Sequence, residues 1–546
     1  MRRVLLWSAA PALVIAALPA VLPAFNDGVE QRSQGNRTAL SVLASFDGLG
    51  AGMTPGEGTN HPPATRNPSD NTLAVGPDHI VQIVNAQLAV FTKKGARYHT
   101  TGRTLYGPVS TNTLFAGFGG VCEARPNGDA VVRYDQLANR WLVVMPIFRR
   151  TVFDRDRSKP GEPARPGEVE HPGAAARPGA PPPLPPPPAG PSGNATTPRP
   201  VSTEGTYAMC YAVSTTSDPL GSYYRYAFER PLFPDYPRPA VWPDGYYVPT
   251  STGDEVIQKH ACVVDRARML KGEPATEQCV IVDGVNFLNN ADVDGTIPPP
   301  PGAPNIVMAA GGTQLNHVLD DDGLYVWTFH VDWKTPSNTK LDGPMKIAVA
   351  PYAYLCGGQL TSCVPQPGAE RRLDAQGDKL MARLVYRRIG ARESIVAVHS
   401  VNTAAGGGGV RWYEFGLDAH RRVLLRQQGT YAPDANYRWM ASPAMDRRGN
   451  IAIGYSFGGP GQFVGQRFAA RLGGDPAGQL TFHETVLVDG QAAQTNTLRW
   501  EDYTQTAIDP SDDCTIWYVG DYLRAGADAY STRIGAFQLP GCLAAR

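Results

Sequence analysis

Pairs of short apolar runs, each pair joined by a polar turn, recur along this chain. Leu73–Asn85 (LAVGPDHIVQIVN) alternates apolar residues, turns at Gly76-Pro77-Asp78 and resumes with Ile80, Val81, Ile83 and Val84. The same order returns at Val131–Val144, turning at Asp135–Asn139, and at Ala240–Thr250, turning at Pro243-Asp244-Gly245. Asn305–Met308 opens a less regular copy whose partner is Leu324–Val331. Further copies are Arg383–Val398, Ser442–Ser456 around Asp446–Asn450, and Thr506–Tyr518. Period-two alternation bounded by Gly, Pro, Asn and Asp predicts β-hairpins. Most are followed by one more strand-like run, as at Tyr207–Ser214, Val410–Phe415 and Arg533–Leu539. Helical periodicity is sparse, with one short helix expected at Arg266–Gly272.

Seven strand–turn–strand–loop–strand units have few packing solutions. A sheet of three or four strands cannot bury both faces alone, whereas stacking such sheets around an axis covers each with its neighbours. The expected fold is therefore all-β, a seven-bladed β-propeller over residues 68–546, with a multi-sheet β-sandwich as the alternative. At about 65–70 residues per unit the repeats exceed compact propeller repeats, so long loops should decorate one face. Residues 25–67 form an N-terminal extension with one strand-like run in Ala39–Phe46, placed to close the ring.

Two segments stand outside this pattern. Arg2-Arg3 precede an uncharged apolar run, Val4–Ala24, ending in small residues; this fits a secretory signal peptide over residues 1–24 rather than a membrane anchor, because Pro11, Pro19 and Pro23 interrupt it. Residues 154–205 are Pro-, Gly- and Ala-rich without apolar periodicity and are expected to be a disordered or polyproline-like loop inserted in the propeller. Such an insertion is inexpensive, since closure entropy grows only with the logarithm of length. Asn194-Ala195-Thr196 inside it fits the glycosylation pattern.

Composition sharpens the compartment. The 50 Lys+Arg balance the 50 Asp+Glu, so a nucleic-acid partner, which calls for a basic excess, is not expected. The even count of eight cysteines in an exported chain reads as disulfides, here expected between neighbours in order: Cys122–Cys210, Cys262–Cys279, Cys356–Cys363 and Cys514–Cys542. The chain is expected to be secreted or periplasmic, free of the membrane once the signal is removed, and monomeric.

Candidate chemistry gathers just ahead of the first strand of several units: Asp70-Asn71, Asp129, Asp378 with Arg383, Arg438-Trp439, and Arg499-Trp500-Glu501-Asp502-Tyr503. In a propeller such positions converge at one end of the axis. Arginines pair with carboxylates and tryptophans stack on sugar rings, so the ligand-binding candidates are Asp70, Asn71, Asp129, Asp378, Arg383, Arg438, Trp439, Arg499, Trp500, Asp502 and Tyr503. The bland reading of the same residues is that they tie units together. Glu501 and Asp502 are adjacent and would point apart in a strand, so they make no acid/base pair with each other. No cofactor is implied and no metal site is assigned: Asp292–Gly295 and Asp320–Gly323 are fragments of calcium loops lacking the closing Glu and read as solvated turns, which leaves only a structural calcium ion open. His260, His330 and His399 lie in strand-like runs and read as structural.

Pro68–Asn85, Gly128–Leu142, Ala212–Phe228, Val241–Tyr247, Trp439–Tyr455 and Trp500–Tyr518 together resemble a family of secreted bacterial proteins with repeated β-hairpins and no assigned activity. The resemblance spans Pro68–Cys542 and implies one extracellular propeller-like domain; it transfers no functional residue. The expected role is binding of an extracellular ligand, a glycan or a protein partner. The alternatives are a polysaccharide hydrolase or lyase with its site at the central channel, and a cell-surface interaction protein.

Overall fold

The computed structural model describes residues 29–56, 62, 65–148, 199–200, 207–252, 258–314, 319, 321–358 and 362–543. The N-terminal apolar run and most of the proline-rich insertion, with its Asn194 motif, lie outside the described residues. The described chain is all-β, with helix confined to short turns such as Arg266–Met269, which Asp265 caps by accepting the Arg268 amide.

Four-stranded antiparallel units follow one another along the chain. The first runs Thr72–Val75, His79–Val84, Gln87–Thr92 and Thr104–Ser110. The second is Val131–Asp135, Arg140–Ile147, Tyr207–Ser214 and Tyr223–Arg230, so the proline-rich insertion joins two paired strands. Ala240–Trp242, Gly245–Tyr247, Gln258–Val264 and Glu277–Val282 form the third, extended by small side strands. The fourth comprises Asn289–Asp294, Asn305–Ala310, Leu324–His330 and Lys340–Ile347. Leu384–Ile389, Arg392–Asn402, Gly408–Leu417 and Val423–Tyr431 make the fifth. In the sixth the strands are Tyr437–Met445, Ile451–Gly459, Gln462–Arg471 and Thr485–Val488. The last unit takes Gln505–Ile508, Ile516–Tyr522 and Ser531–Phe537 from the C-terminal end, and its fourth strand, Val42–Gly50, from the N-terminal end.

First strands of successive units touch, and that of the last unit touches that of the first. Between the fourth and fifth the contact becomes parallel pairing, Ala291–Asp294 against Leu384–Arg387. Apolar side chains collect between neighbouring units: Val81, Val90, Val132 and Trp141 between the first and second, Leu142, Met209, Tyr246 and Val264 between the second and third, and Ile80, Phe91, Trp517 and Ile534 between the last and the first. First and second strands are thus covered on both faces and read as continuous apolar runs.

The four disulfides pair the cysteines in order, Cys122–Cys210, Cys262–Cys279, Cys356–Cys363 and Cys514–Cys542. One expectation is corrected. Asp292-Val293-Asp294 is no solvated turn: it belongs to the first strand of the fourth unit, and Asn305–Met308, expected to open that unit, is its second strand. Both aspartates are buried because they neutralise arginines from other units. Arg383 Nε lies 2.8 Å from Asp292 Oδ2 and its Nη2 2.5 Å from Asp294 Oδ1, while Arg133 Nε lies 3.3 Å from Asp292.

Candidate functional site

The segments leading into the first strands meet one another around the fold. The Asp70 amide donates to the Glu501 carbonyl (2.7 Å), and the Tyr236 amide to Asp129 Oδ2 (3.3 Å). Arg238 donates to Asn289 Oδ1 (3.1 Å), and Asn286 Nδ2 to Asp378 Oδ2 (2.7 Å). Gln376 Nε2 reaches Asp502 Oδ1 (2.8 Å), and Thr504 Oγ1 donates to the Met440 carbonyl (2.6 Å). The local backbone is unusual. Asp70, Asp129, Tyr236, Gln376, Met440, Glu501 and Asp502 all adopt positive φ, between 47° and 72°. Left-handed conformations in non-glycine residues cost stability and persist where surrounding structure enforces them, often at sites of function.

These segments place five carboxyl groups together. The side chains of Asp70, Asp129 and Asp235 adjoin in that order, and the Asp502 charge acts on all three. Asp374 and Asp502 share Arg499, whose Nε lies 3.0 Å from Asp374 Oδ2 and whose Nη2 also pairs with Asp502. Burial, and next the neighbouring Asp129 and Asp502 charges, push the Asp70 carboxyl well above the usual carboxylate range. Asp235 rises likewise, by burial and then the Asp129 charge, and burial raises Asp129 and Asp374. Tyr503 is buried and stacks edge-to-face on Tyr236 at 5.3 Å. Its buried hydroxyl has no hydrogen-bond partner, and the charges acting on it most strongly are those of Asp129 and Asp70. Next to Tyr236, Lys379 pairs with Asp378 (2.7 Å) and lies 4.1 Å from the Phe287 ring, and Arg238 lies 4.1 Å from the Tyr236 ring.

The expected residues therefore divide. Asp70, Asp129, Arg499, Asp502 and Tyr503 come together. Asp378 joins them indirectly: it pairs with Lys379, and Gln376 bonds both Lys379 and Asp502. Asn71 and Trp500 stand behind the cluster: Asn71 Nδ2 donates to Asp521 Oδ1 (2.9 Å), and Trp500 Nε1 to Ser456 Oγ (3.0 Å). Glu501 faces that second network, accepting from Ser456 (2.6 Å), Gln466 (2.9 Å) and the Asp521 amide (2.6 Å), so it and Asp502 do point apart. Arg383 lies deeper on the axis. With Arg133, Asp292, Asp294 and Gln505 it lines a cavity of only about 20 Å³, room for about one water molecule. Arg438 and Trp439 sit elsewhere. Arg438 is committed to Glu484 (2.8 Å) and Asp434 (2.9 Å) within the sixth unit, and Trp439 is fully buried.

Asp235, Tyr236 and Asp374 were not expected at the site. Asp235-Tyr236 lies ahead of the strand at Ala240, at a longer distance than Asp70-Asn71 ahead of Thr72, and its place before a first strand is the available signal. Among the described residues the one group of three metal-ligand types with mutually close donor atoms is Cys262, Glu277 and Cys279, and its sulfurs are joined in a disulfide.

The network behind the cluster carries a pH prediction. Burial pushes Asp521 from 3.8 to about 8. A carboxyl with raised folded-state affinity binds more protons folded than unfolded, so its contribution to stability is full below about pH 4 and is lost as pH rises towards 8. Asp521→Asn keeps the acceptor for Asn71 without the charge. The unfolding midpoint of the variant should fall less than that of the parent between pH 5 and pH 8, measured by calorimetry.

No protein-family model matches the chain, and no curated protein matches it. Among solved structures, the exo-1,5-α-L-arabinanase from a bovine ruminal metagenomic library aligns at 10% identity and a TM-score of 0.26, over 74% of this chain and 92% of that one. The WD40 domain of SCAP from fission yeast aligns at 8% and 0.29, over 86% and 84%. An exo-β-1,3-galactanase from Clostridium thermocellum aligns at 9% and 0.27, over 91% and 97%. At such scores these likenesses carry no argument about this chain.

Proposed function

We propose that the chain is an exported seven-bladed β-propeller that binds an extracellular polyhydroxylated ligand, of the glycan class, at the carboxylate-lined end of its axis. The bladed reading is supported by first strands that touch in cyclic order and by a last sheet completed from the N-terminal side; two facing sheets of a sandwich would give no such cycle. Export is supported by the four disulfides and by the charged, then apolar, N-terminal segment. Among the described residues no helix is long and apolar enough to cross a membrane.

The observation that carries the ligand class is the grouping of Asp70, Asp129 and Asp502 near a Tyr503 hydroxyl that has no partner, with Asp235 against Asp129 and Asp374 tied in through Arg499. Carboxylates accept hydrogen bonds from several sugar hydroxyls at once, and tyrosine faces take the apolar side of a pyranose ring. The arginines and aspartates at Arg383 leave a cavity of only about 20 Å³, too small for a sugar ring.

A hydrolytic reading is favoured by one observation: burial raises the proton affinity of Asp70, Asp129 and Asp235 beside Asp502, so a protonated carboxyl is available near others, as a general acid requires. The test is a panel of glycans and polysaccharides offered to the purified mature protein, reading binding and new reducing ends together. Binding without product supports the first reading and product release the second. Absence of both overturns the glycan class.

A further inference from the structure

A second chemical feature lies in the third unit, away from the axis. Cys262 and Cys279 are direct cross-strand partners on Gln258–Val264 and Glu277–Val282, joined in a disulfide. Arg230, ending the outermost strand of the second unit, places Nη1 2.6 Å from Cys262 Sγ and 2.7 Å from Cys279 Sγ, with its side chain 1% exposed. Its other terminal nitrogen lies 2.5 Å from Glu277 Oε1, which also accepts from the Tyr211 hydroxyl at 3.1 Å. His260, on the same strand as Cys262, is held neutral: burial, then the Arg230 charge, push it down to about 3. The groups facing the sulfurs are thus one guanidinium, one carboxylate already bound to it, a neutral imidazole and a phenol. Among the described residues no cation hydrogen-bonds a sulfur of the other three disulfides; Arg372 and Arg447 reach only the backbone carbonyls of Cys363 and Cys542.

A cation in contact with both sulfurs stabilises whichever of them carries negative charge. Lowered thiolate pKa and stabilisation of the reduced form make a disulfide a better oxidant. Cys262 is fully buried, whereas Cys279 is partly exposed. We propose that Cys262–Cys279 is a thiol–disulfide exchange site, taking electrons from a dithiol reductant through attack at Cys279. A thiolate of the dithiol attacks Cys279 Sγ, the Cys262–Cys279 bond breaks, and Cys262 leaves as a thiolate beside Arg230. The second thiol of the reductant then attacks the mixed disulfide. That releases Cys279 as a thiolate and the reductant as its own disulfide. Two electrons pass to the protein, and the two protons given up by the dithiol go to solvent or to the new thiolates.

The experiment equilibrates the oxidised full-length protein in graded mixtures of reduced and oxidised dithiothreitol, quenches with an alkylating reagent and maps labelled cysteines by mass spectrometry. Cys262 and Cys279 should label together at the mildest poise, and should alkylate at pH 6, where an ordinary thiol is protonated. Arg230→Met should require about tenfold more reducing conditions, about 30 mV for this two-electron couple, and should lose the labelling at pH 6. Arg230→Lys, which keeps the charge, should retain most of both and guards against misfolding of the methionine variant. Labelling of Cys356–Cys363 or Cys514–Cys542 ahead of this pair overturns the proposal. So does a midpoint and pH dependence that neither Arg230 variant shifts relative to the parent.

Discussion

Arg383→Leu should destabilise the protein by about 3–5 kcal/mol, the scale for removing one partner of a buried ion pair. The side chain is a few per cent exposed and binds Asp292 and Asp294 from the fourth unit and the Thr506 carbonyl (3.2 Å) from the last. It therefore joins three parts of the fold at one point on the axis. Its loss leaves two buried carboxylates with Arg133 as the nearest remaining cation for Asp292, and Asp294 with only the longer-range charges of Arg387 and Arg133. The penalty comes from the stranded carboxylates more than from the lost attraction. Arg383→Leu combined with Asp294→Asn should for that reason recover part of the loss, as read from denaturant midpoints of the parent, the two single variants and the double variant. Equal destabilisation by the single and double changes would show that the arginine acts through packing alone.

The second large effect concerns closure. Val42–Gly50 pairs with Ser531–Phe537 across the two ends of the chain, and Asp47 ties it further to Arg524 and Arg533. Leu49, fully buried, packs in the core between the last and first units. Deleting residues 1–52 removes this strand and leaves Ser531–Phe537 as a bare sheet edge, a template for association with other chains. The truncated protein should lose its cooperative unfolding transition and run as aggregate in size-exclusion chromatography. A truncated chain that stays monomeric with an unchanged midpoint would mean that the ends do not close on each other.

Hairpins were readable because first and second strands are covered on both faces, which makes them apolar runs broken by Gly, Pro and Asp turns. The fourth unit escaped for a specific reason. Its first strand, Asn289–Asp294, carries Asp292 and Asp294, which in isolation look like turn residues; only their partner Arg383, far along the chain, explains why they are buried. The same limit applies to the site. Asp70, Asp129 and Arg499-Trp500-Glu501-Asp502-Tyr503 stood out by their place ahead of a strand. Arg438 shared that place on paper, yet its strand begins at Tyr437, so the guanidinium lies inside the sixth unit against Glu484. Asp374 precedes its strand by a longer segment, and only folding brings its carboxylate to Arg499.

The most direct test of a ligand site at the axis is titration calorimetry with whichever glycan the panel selects, comparing the parent, Tyr503→Phe and Tyr455→Phe. Tyr503 offers its unpartnered hydroxyl among Asp70 and Asp129, whereas Tyr455 donates to Glu484 (2.8 Å) in the Arg438 cluster. Tyr503→Phe should lose about tenfold in affinity, the scale of about one hydrogen bond, and Tyr455→Phe should leave it unchanged. Unchanged affinity in Tyr503→Phe, or a loss confined to Tyr455→Phe, would contradict a ligand site at the axis.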